Sequence, residues 1–251
     1  MNASQHIILL TATITPPKNA KNLAIVDAQL RLQQYLIALE FYLQQLANNV
    51  ITSIVFVDNS ASDCTQLKNL VAQYKLNQHV EIISFNGLDY PPIYGRGYGE
   101  FKLVQHAMRH SAILKAADSN AIIWKVTGRY IVSNLAHIIK KIPTYADFYC
   151  HCRDYPMRWI DLYILAWKKS AYDLLLKDIY LKLQESNNDE SSELKFRAII
   201  DANTSNIKLV KRFNTLPNLI GFRGYDNQPY QNSFKYQVRS IANTLVPFFW
   251  I

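Results

Sequence analysis

The feature that most constrains this chain is an alternation of two hydrophobic rhythms over its first 85 residues. HIILLTATI (6–14), ITSIVFVDNS (51–60) and VEIISF (80–85) are short, nearly continuous apolar runs. Such runs suit strands covered on both faces, as in a parallel sheet. Between them, residues 24–47 place Ile25, Ala28, Leu32, Tyr35, Leu36, Leu39, Leu43 and Leu46 at steps of three and four, and residues 64–75 also read as helix. Those steps describe an amphipathic helix. The order is β-α-β-α-β, and crossovers of this length favour parallel strands with helices packed on the sheet.

The remainder extends this plan. GLDYPPIYGRGYGE (87–100) reads as a glycine-rich loop, FKLVQHAMRHSAILKAA (101–117) as a helix, and AIIWKVTGRYIV (121–132) as a strand interrupted at Thr127-Gly128. ADFYCHCRD (146–154) and WIDLYILAW (159–167) read as strands flanking a turn at Tyr155-Pro156. A helix over 170–184, a polar loop over 186–193, a helix over 194–201, a short strand at IKLVKRF (207–213) and a basic tail follow. No repeat or linker divides the chain. The expectation is one α/β domain over 1–251, a Rossmann-like, mostly parallel sheet flanked by helices, with 1–132 as a nucleotide-binding half and 133–251 as an acceptor half plus tail.

Composition narrows the partners. The chain has 251 residues, 49% hydrophobic and 18% charged, which argues against disorder. No run of about 18 apolar residues occurs, so no ordinary transmembrane helix is expected. The first residues lack the basic start of a secretory signal, and three cysteines are too few for a disulfide framework, so a cytoplasmic setting is expected. A formal charge of +8 favours anionic partners. The basic residues are scattered and match no nucleic-acid reader motif, so no nucleic-acid partner is expected.

Ligands of open α/β sheets bind beyond the C-terminal ends of the strands. Four polar clusters fall there: Thr11 to Thr15, Asp58 to Asp63, Gly95 to Glu100, and Lys125 to Tyr130. Asp58 suits a ribose or base, or simply a turn formed by Asp-Asn-Ser. Gly95 and Gly97 could let backbone approach an anion, with Arg96 adding charge and a helix N-terminus following. The segment completes neither a dinucleotide fingerprint nor a Walker A loop. Lys125 and Arg129 interrupt an otherwise apolar strand around Thr127 and Gly128. Buried cations need a carboxylate or an anionic ligand, and a ligand is the favoured expectation. His106 and His110 have metal-ligand spacing but lack the intervening Glu, and Cys150 and Cys152 share a strand face that His151 does not, so no metal site is expected.

In this order, the segments IILLTATITPP, the helix with Arg31 and Tyr35, IVFVDNSASD, YGRGYGEFK, IIWKVTGRY, ESSELKFR and LVPFFWI resemble the GT-A-type bacterial glycosyltransferases that build capsule, O-antigen, lipopolysaccharide and other surface polysaccharides. The resemblance implies a nucleotide-sugar donor held by Thr11, Thr13, Arg31 and Asp58, and transfer to a glycan or lipid-linked acceptor. It implies a general base among late acids, Glu193 first and Asp161 second. Glu193 reads equally as an acid favoured by a helix N-terminus, and Asp161 as an ion-pair partner of Arg158 or Arg153. Tyr98, Asp154 and Arg158 are the expected acceptor contacts. The family's Asp-X-Asp metal motif is absent, so no cofactor is expected, although a divalent metal stays open; Lys125 and Arg129 would then neutralise the donor phosphate. A nucleotidyltransferase acting on a sugar phosphate, or a non-catalytic nucleic-acid-binding protein, is the alternative. The tail 234–251, basic then apolar, suggests peripheral contact with an inner membrane, and Arg223 and Tyr225 suggest closure over the donor.

Overall fold

The computed structural model describes residues 5–17, 23–185, 190–203 and 207–222. The elements run β1 (His6–Ala12), α1 (Ala28–Ala47), β2 (Ser53–Asp58), α2 (Thr65–Gln73), β3 (Val80–Ser84), α3 (Gly95–His110), α4 (Ala112–Ala116), β4 (Ile122–Thr127), β5 (Ile131–Val132) and α5 (Leu135–Lys140). They continue β6 (Phe148–Tyr149), β7 (Cys152–Arg153), β8 (Trp159–Ile160), β9 (Ile164–Lys168), α6 (Tyr172–Leu175), α7 (Ser192–Asp201), β10 (Leu209–Val210) and β11 (Leu219–Ile220).

Seven strands form the main sheet in the order β10-β6-β9-β4-β1-β2-β3. β1 pairs in parallel with both β2 and β4, and β2 with β3. β9 runs antiparallel to β4 and β6, so the sheet is parallel apart from one strand. The chain is therefore a single α/β domain whose sheet takes strands from both halves of the sequence, with helices on both faces.

The alternation of side chains across β1 and β4 divides the core. Ile8, Leu10, Trp124 and Val126 face α1, where Tyr35, Leu39, Tyr42 and Leu43 meet them. Ile7, Leu9 and Ile123 face α3 and α7, where Phe101, Val104, Phe196 and Ile200 meet them. Burial on both faces explains why the apolar runs of β1, β2 and β4 show no two-residue alternation.

From β1 the chain adds β2 and then β3 on one side, crosses back along α3, and places β4 on the other side of β1. The strand order reverses between β1 and β4, which opens a crevice at their C-terminal ends. The expected elements sit close to this plan, with differences that tertiary contacts explain. The glycine-rich segment is not wholly a loop: α3 already starts at Gly95. The predicted helix breaks at Ser111, whose backbone is extended and whose side-chain hydroxyl caps α4 by accepting from the Leu114 N–H at 3.1 Å. The interrupted strand ends at Thr127, and Val132 and Ile131 instead pair with β11 in a separate two-stranded ribbon. The 146–154 and 159–167 segments each split, sending β6 and β9 into the main sheet and β7 and β8 into a hairpin beyond its C-terminal edge. The helix expected over 170–184 is shortened to α6 and flanking 3₁₀ turns.

Candidate functional site

The crevice between β1 and β4 has two unlike walls. On the α3 and α7 side, Thr11 is the last residue but one of β1 and Thr127 the last of β4, and both hydroxyls donate to the same carboxylate oxygen of Glu100 on α3, at 2.8 and 2.9 Å. Lys125, one strand position pair below, is 0% exposed. Its ammonium lies 2.5 Å from that Glu100 oxygen and also donates to the Leu162 carbonyl. Burial lowers the pKa of the Lys125 ammonium and the Glu100 carboxylate draws it back up. The expectation that a bound anion balances Lys125 is thus corrected, because Glu100 balances it. Glu100 is the residue that sequence reading missed. Once α3 is known to begin at Gly95, Glu100 shares a helical stripe with Val104 and Ala107, on the face aimed at the sheet.

Glu193, in the first turn of α7, is near enough to this wall for its charge to raise the Lys125 pKa. Burial raises the Glu193 pKa, opposed by the backbone at the start of α7 and by the Arg96 charge. The approach of α7 depends on Gly97, where a Cβ would collide with the Ser192 side chain. Gly97 therefore serves helix packing, and Gly95, at φ +81°, makes room for the Glu185 side chain. The anion beside these helix starts is internal: Glu185 accepts from the Ser192 backbone N–H at 2.9 Å and from its hydroxyl at 2.7 Å. This corrects the picture of an open phosphate loop. Arg96 is exposed.

The opposite wall belongs to α1. Arg31 is 4% and Arg129 7% exposed. Arg31 donates through Nε to the Thr13 carbonyl at 2.7 Å, and through its terminal nitrogens to the Ile25 carbonyl and the Tyr35 hydroxyl, both at 3.2 Å. Arg129 donates to Gln34 Oε1 at 2.7 Å. Gln34 lies one helical turn from Arg31, which brings the two guanidiniums to neighbouring positions on one helix face. Burial lowers the Arg31 pKa; Tyr35 opposes this, and the like charge of Arg129 lowers it further. Among the described residues, neither arginine forms an ion pair. Gly128 makes the turn between the walls, with its N–H donating to the Thr11 carbonyl at 2.8 Å, and a Cβ there would press on that same carbonyl at 2.8 Å. Thr13 is held by its N–H to the Tyr35 hydroxyl at 3.0 Å and by its own hydroxyl to Asn59 at 2.7 Å.

Several expected site residues are committed elsewhere. Asp58 is fully buried and accepts five hydrogen bonds, from the backbone N–H groups of Ile14, Ser60 and Ser62 and the hydroxyls of Ser60 and Ser84. The turn reading prevails over ribose binding, since a carboxylate with that many donors has no capacity left for a nucleotide. Asp161 pairs with Arg153 at 2.9 Å and accepts from the Tyr163 hydroxyl at 3.2 Å, which leaves Glu193 as the less committed carboxylate. Asp154 pairs with Arg197 at 2.6 Å, and Arg158 with Asp201 at 2.9 Å. Tyr98 is buried among Tyr90, Tyr94 and Tyr180, so it packs and does not face an acceptor. His106 stacks between Phe85 and His110. Among the described residues, no three His, Cys, Asp or Glu side chains are grouped to hold a metal ion. The tail 234–251, Arg223 and Tyr225 lie outside the described residues.

No protein-family model matches the chain, and no curated protein matches it. Among solved structures it is similar to a protein from Desulfovibrio desulfuricans G20, provisionally described as a nucleotide-diphospho-sugar transferase. That match has 14% identity over 99% of this chain and 100% of the other, with a TM-score of 0.49. It is also similar to a 4-diphosphocytidyl-2C-methyl-D-erythritol synthase, at 10% identity over 95% of this chain and 98% of the other, with a TM-score of 0.45.

Proposed function

We propose that this chain is a glycosyltransferase that moves a sugar from a nucleotide-sugar donor to a hydroxyl of a glycan or lipid-linked acceptor in bacterial surface polysaccharide synthesis. One observation carries the reading: two buried guanidiniums without carboxylate partners among the described residues lie on one side of the β1–β4 switch point, and a carboxylate of raised pKa lies on the other. In this scheme Arg31 and Arg129 receive the donor diphosphate, with Thr13 fixing the loop between them. Glu193 takes the proton of the acceptor hydroxyl as its oxygen bonds to the anomeric carbon. The bond from that carbon to the diphosphate oxygen breaks, and the leaving charge is met by the two guanidiniums, which are already oriented. Burial suits Glu193 to this task, because a base whose pKa approaches the working pH transfers protons most effectively.

Lys125 has a supporting part here. Its ammonium neutralises Glu100, so the two threonines at the strand ends stay fixed and the floor of the crevice carries little net charge. The lipid-linked acceptor and the inner-membrane setting rest on the sequence resemblance. No helix among the described residues is long and apolar enough to cross a membrane.

The test is thermal-shift screening against UDP-, GDP-, CMP- and dTDP-sugars, with and without EDTA. A ligand at about 100 times its Kd stabilises the fold by about 2.7 kcal/mol, a readable shift. The expected result is stabilisation by one nucleotide class that survives EDTA and is lost in Arg129→Met. Stabilisation by none of them would overturn the proposal. Release of a nucleoside diphosphate in the presence of acceptor marks glycosyl transfer, whereas release of pyrophosphate from a nucleoside triphosphate would mark nucleotidyl transfer instead.

A further inference from the structure

A second cleft, of about 450 Å³, lies at the opposite edge of the sheet. It is bounded by the end of α3, by α4, and by the residues that follow β9. Lys169, just past β9, donates its backbone N–H to the Ala121 carbonyl next to the start of β4. The cleft is therefore about one six-residue strand, roughly 20 Å, from the β1–β4 crevice.

Its charge is one-sided. Arg109, Lys115, Lys169 and Lys177 line it, with Asp173 as the only acid. Asp173 offsets little, since its contact with Lys177 is 3.8 Å long and solvent-exposed. Arg109 meets Asp178 at only 3.7 Å, also exposed. Lys169 is anchored: its ammonium donates to the Lys115 and Ala117 carbonyls at 2.6 and 2.5 Å, which leaves one of its three protons unassigned.

Exposed lysines alone would be an ordinary solvated face. Tyr172 is the observation that makes this one different. It is 7% exposed, it lines the cleft, and among the described residues its hydroxyl has no hydrogen-bond partner. A buried hydroxyl without a partner costs about 1–3 kcal/mol, so its retention beside four cations calls for an acceptor atom supplied from outside the chain. Burial pushes its phenol pKa up while the Arg109 charge draws it back, so the group is a protonated donor at neutral pH.

We propose that this cleft is a second, separate anion site, and that it takes a phosphate group: one oxygen accepts from the Tyr172 hydroxyl, and the others meet Arg109, Lys169 and the flanking lysines. The phosphate belongs either to a soluble phosphate ester or to a lipid headgroup. The site does not depend on the transferase reading of the other edge.

The experiment is calorimetric titration of Arg129→Met protein with inorganic pyrophosphate, so that the β1–β4 crevice contributes little. Saturable binding is expected, weakened about tenfold by Arg109→Ala and by Tyr172→Phe, the change that losing one charge-assisted or buried hydrogen bond produces. Tyr172→Phe removes a single oxygen that no protein group uses, so this variant keeps the fold and isolates the hydroxyl. Absence of binding, or binding indifferent to both substitutions, overturns the proposal. Sedimentation with phosphatidylglycerol vesicles but not phosphatidylcholine vesicles, abolished by Arg109→Ala, assigns the phosphate to a lipid headgroup. Pyrophosphate binding without sedimentation assigns it to a soluble ester.

Discussion

Lys125 and Arg129 are four residues apart at the end of one strand, and both are nearly excluded from solvent, yet they belong to opposite walls. Lys125 has its own carboxylate, two hydroxyls bound to that same carboxylate, and a carbonyl. Arg129 has one neutral amide and a second guanidinium nearby. The first wall is complete as it stands. The second is not, and an incomplete set of buried charges is where a ligand of opposite sign gains most. The contrast separates a cation that holds the structure together from one available for binding, even though the sequence presents both as basic interruptions of an apolar strand.

Three substitutions test that contrast. Replacing Glu193 with Gln keeps the shape of the first wall but removes its proton acceptor. Turnover should fall about 10²- to 10⁴-fold in steady-state assays, the usual contribution of a positioned base. In the unaltered protein, kcat/KM should rise with pH through a limb above about 4.3, the ordinary glutamate value, because burial raises the Glu193 pKa and only its ionised form accepts the proton. A limb at or below that value would remove Glu193 from the role.

Lys125→Met strips the first wall of its cation and leaves Glu100 uncompensated. Denaturant unfolding should register a loss of about 3–5 kcal/mol, and adding Glu100→Gln should restore much of it. Arg129→Met should behave in the opposite way. Its loss relieves like-charge repulsion on Arg31, so stability should hold or rise, while affinity for the nucleotide donor drops about 10- to 100-fold. If both substitutions were equally destabilising, the distinction between the walls would collapse.

The smallest effect concerns neither wall. His6, at the far end of β1, has its pKa pushed down to about 4 by burial and accepts a hydrogen bond from Trp124 at 3.1 Å. The folded state therefore binds that proton less well than the unfolded chain does. Its share of stability is complete above about pH 6.5 and declines as pH falls toward 4, and His6→Gln should flatten that slope in thermal melts.

Much of the fold was legible because burial on both faces writes itself into β1, β2 and β4 as unbroken apolar runs, and α1 carries a long periodic stripe. The place of the crevice followed from that order alone. What local pattern could not show was tertiary. Gly95 and Gly97 look like loop residues until Glu185 is seen lying against the first and α7 against the second, and their place in α3 is what turns Glu100 toward Lys125. Asp58 looked like a ligand-binding acid because nothing in DNS reveals that Ile14, Ser62 and Ser84 also donate to it. Arg31 was visible as a candidate, but its lack of a counter-charge is a property of the assembled molecule.

The position of β1 in the sheet also has a consequence for how the chain is made. β1 precedes β2, β3 and β4 in the chain, so β2 and β3 can join one of its edges before β4 has been synthesised. Its other edge waits for β4, roughly 110 residues later, which is about 5 to 20 seconds at ordinary elongation speeds. During that interval a strand with an unbroken apolar run presents unpaired backbone donors and acceptors, the template on which chains associate wrongly. Yield in the cell should therefore respond more steeply to translation speed and chaperone supply than equilibrium stability alone would suggest.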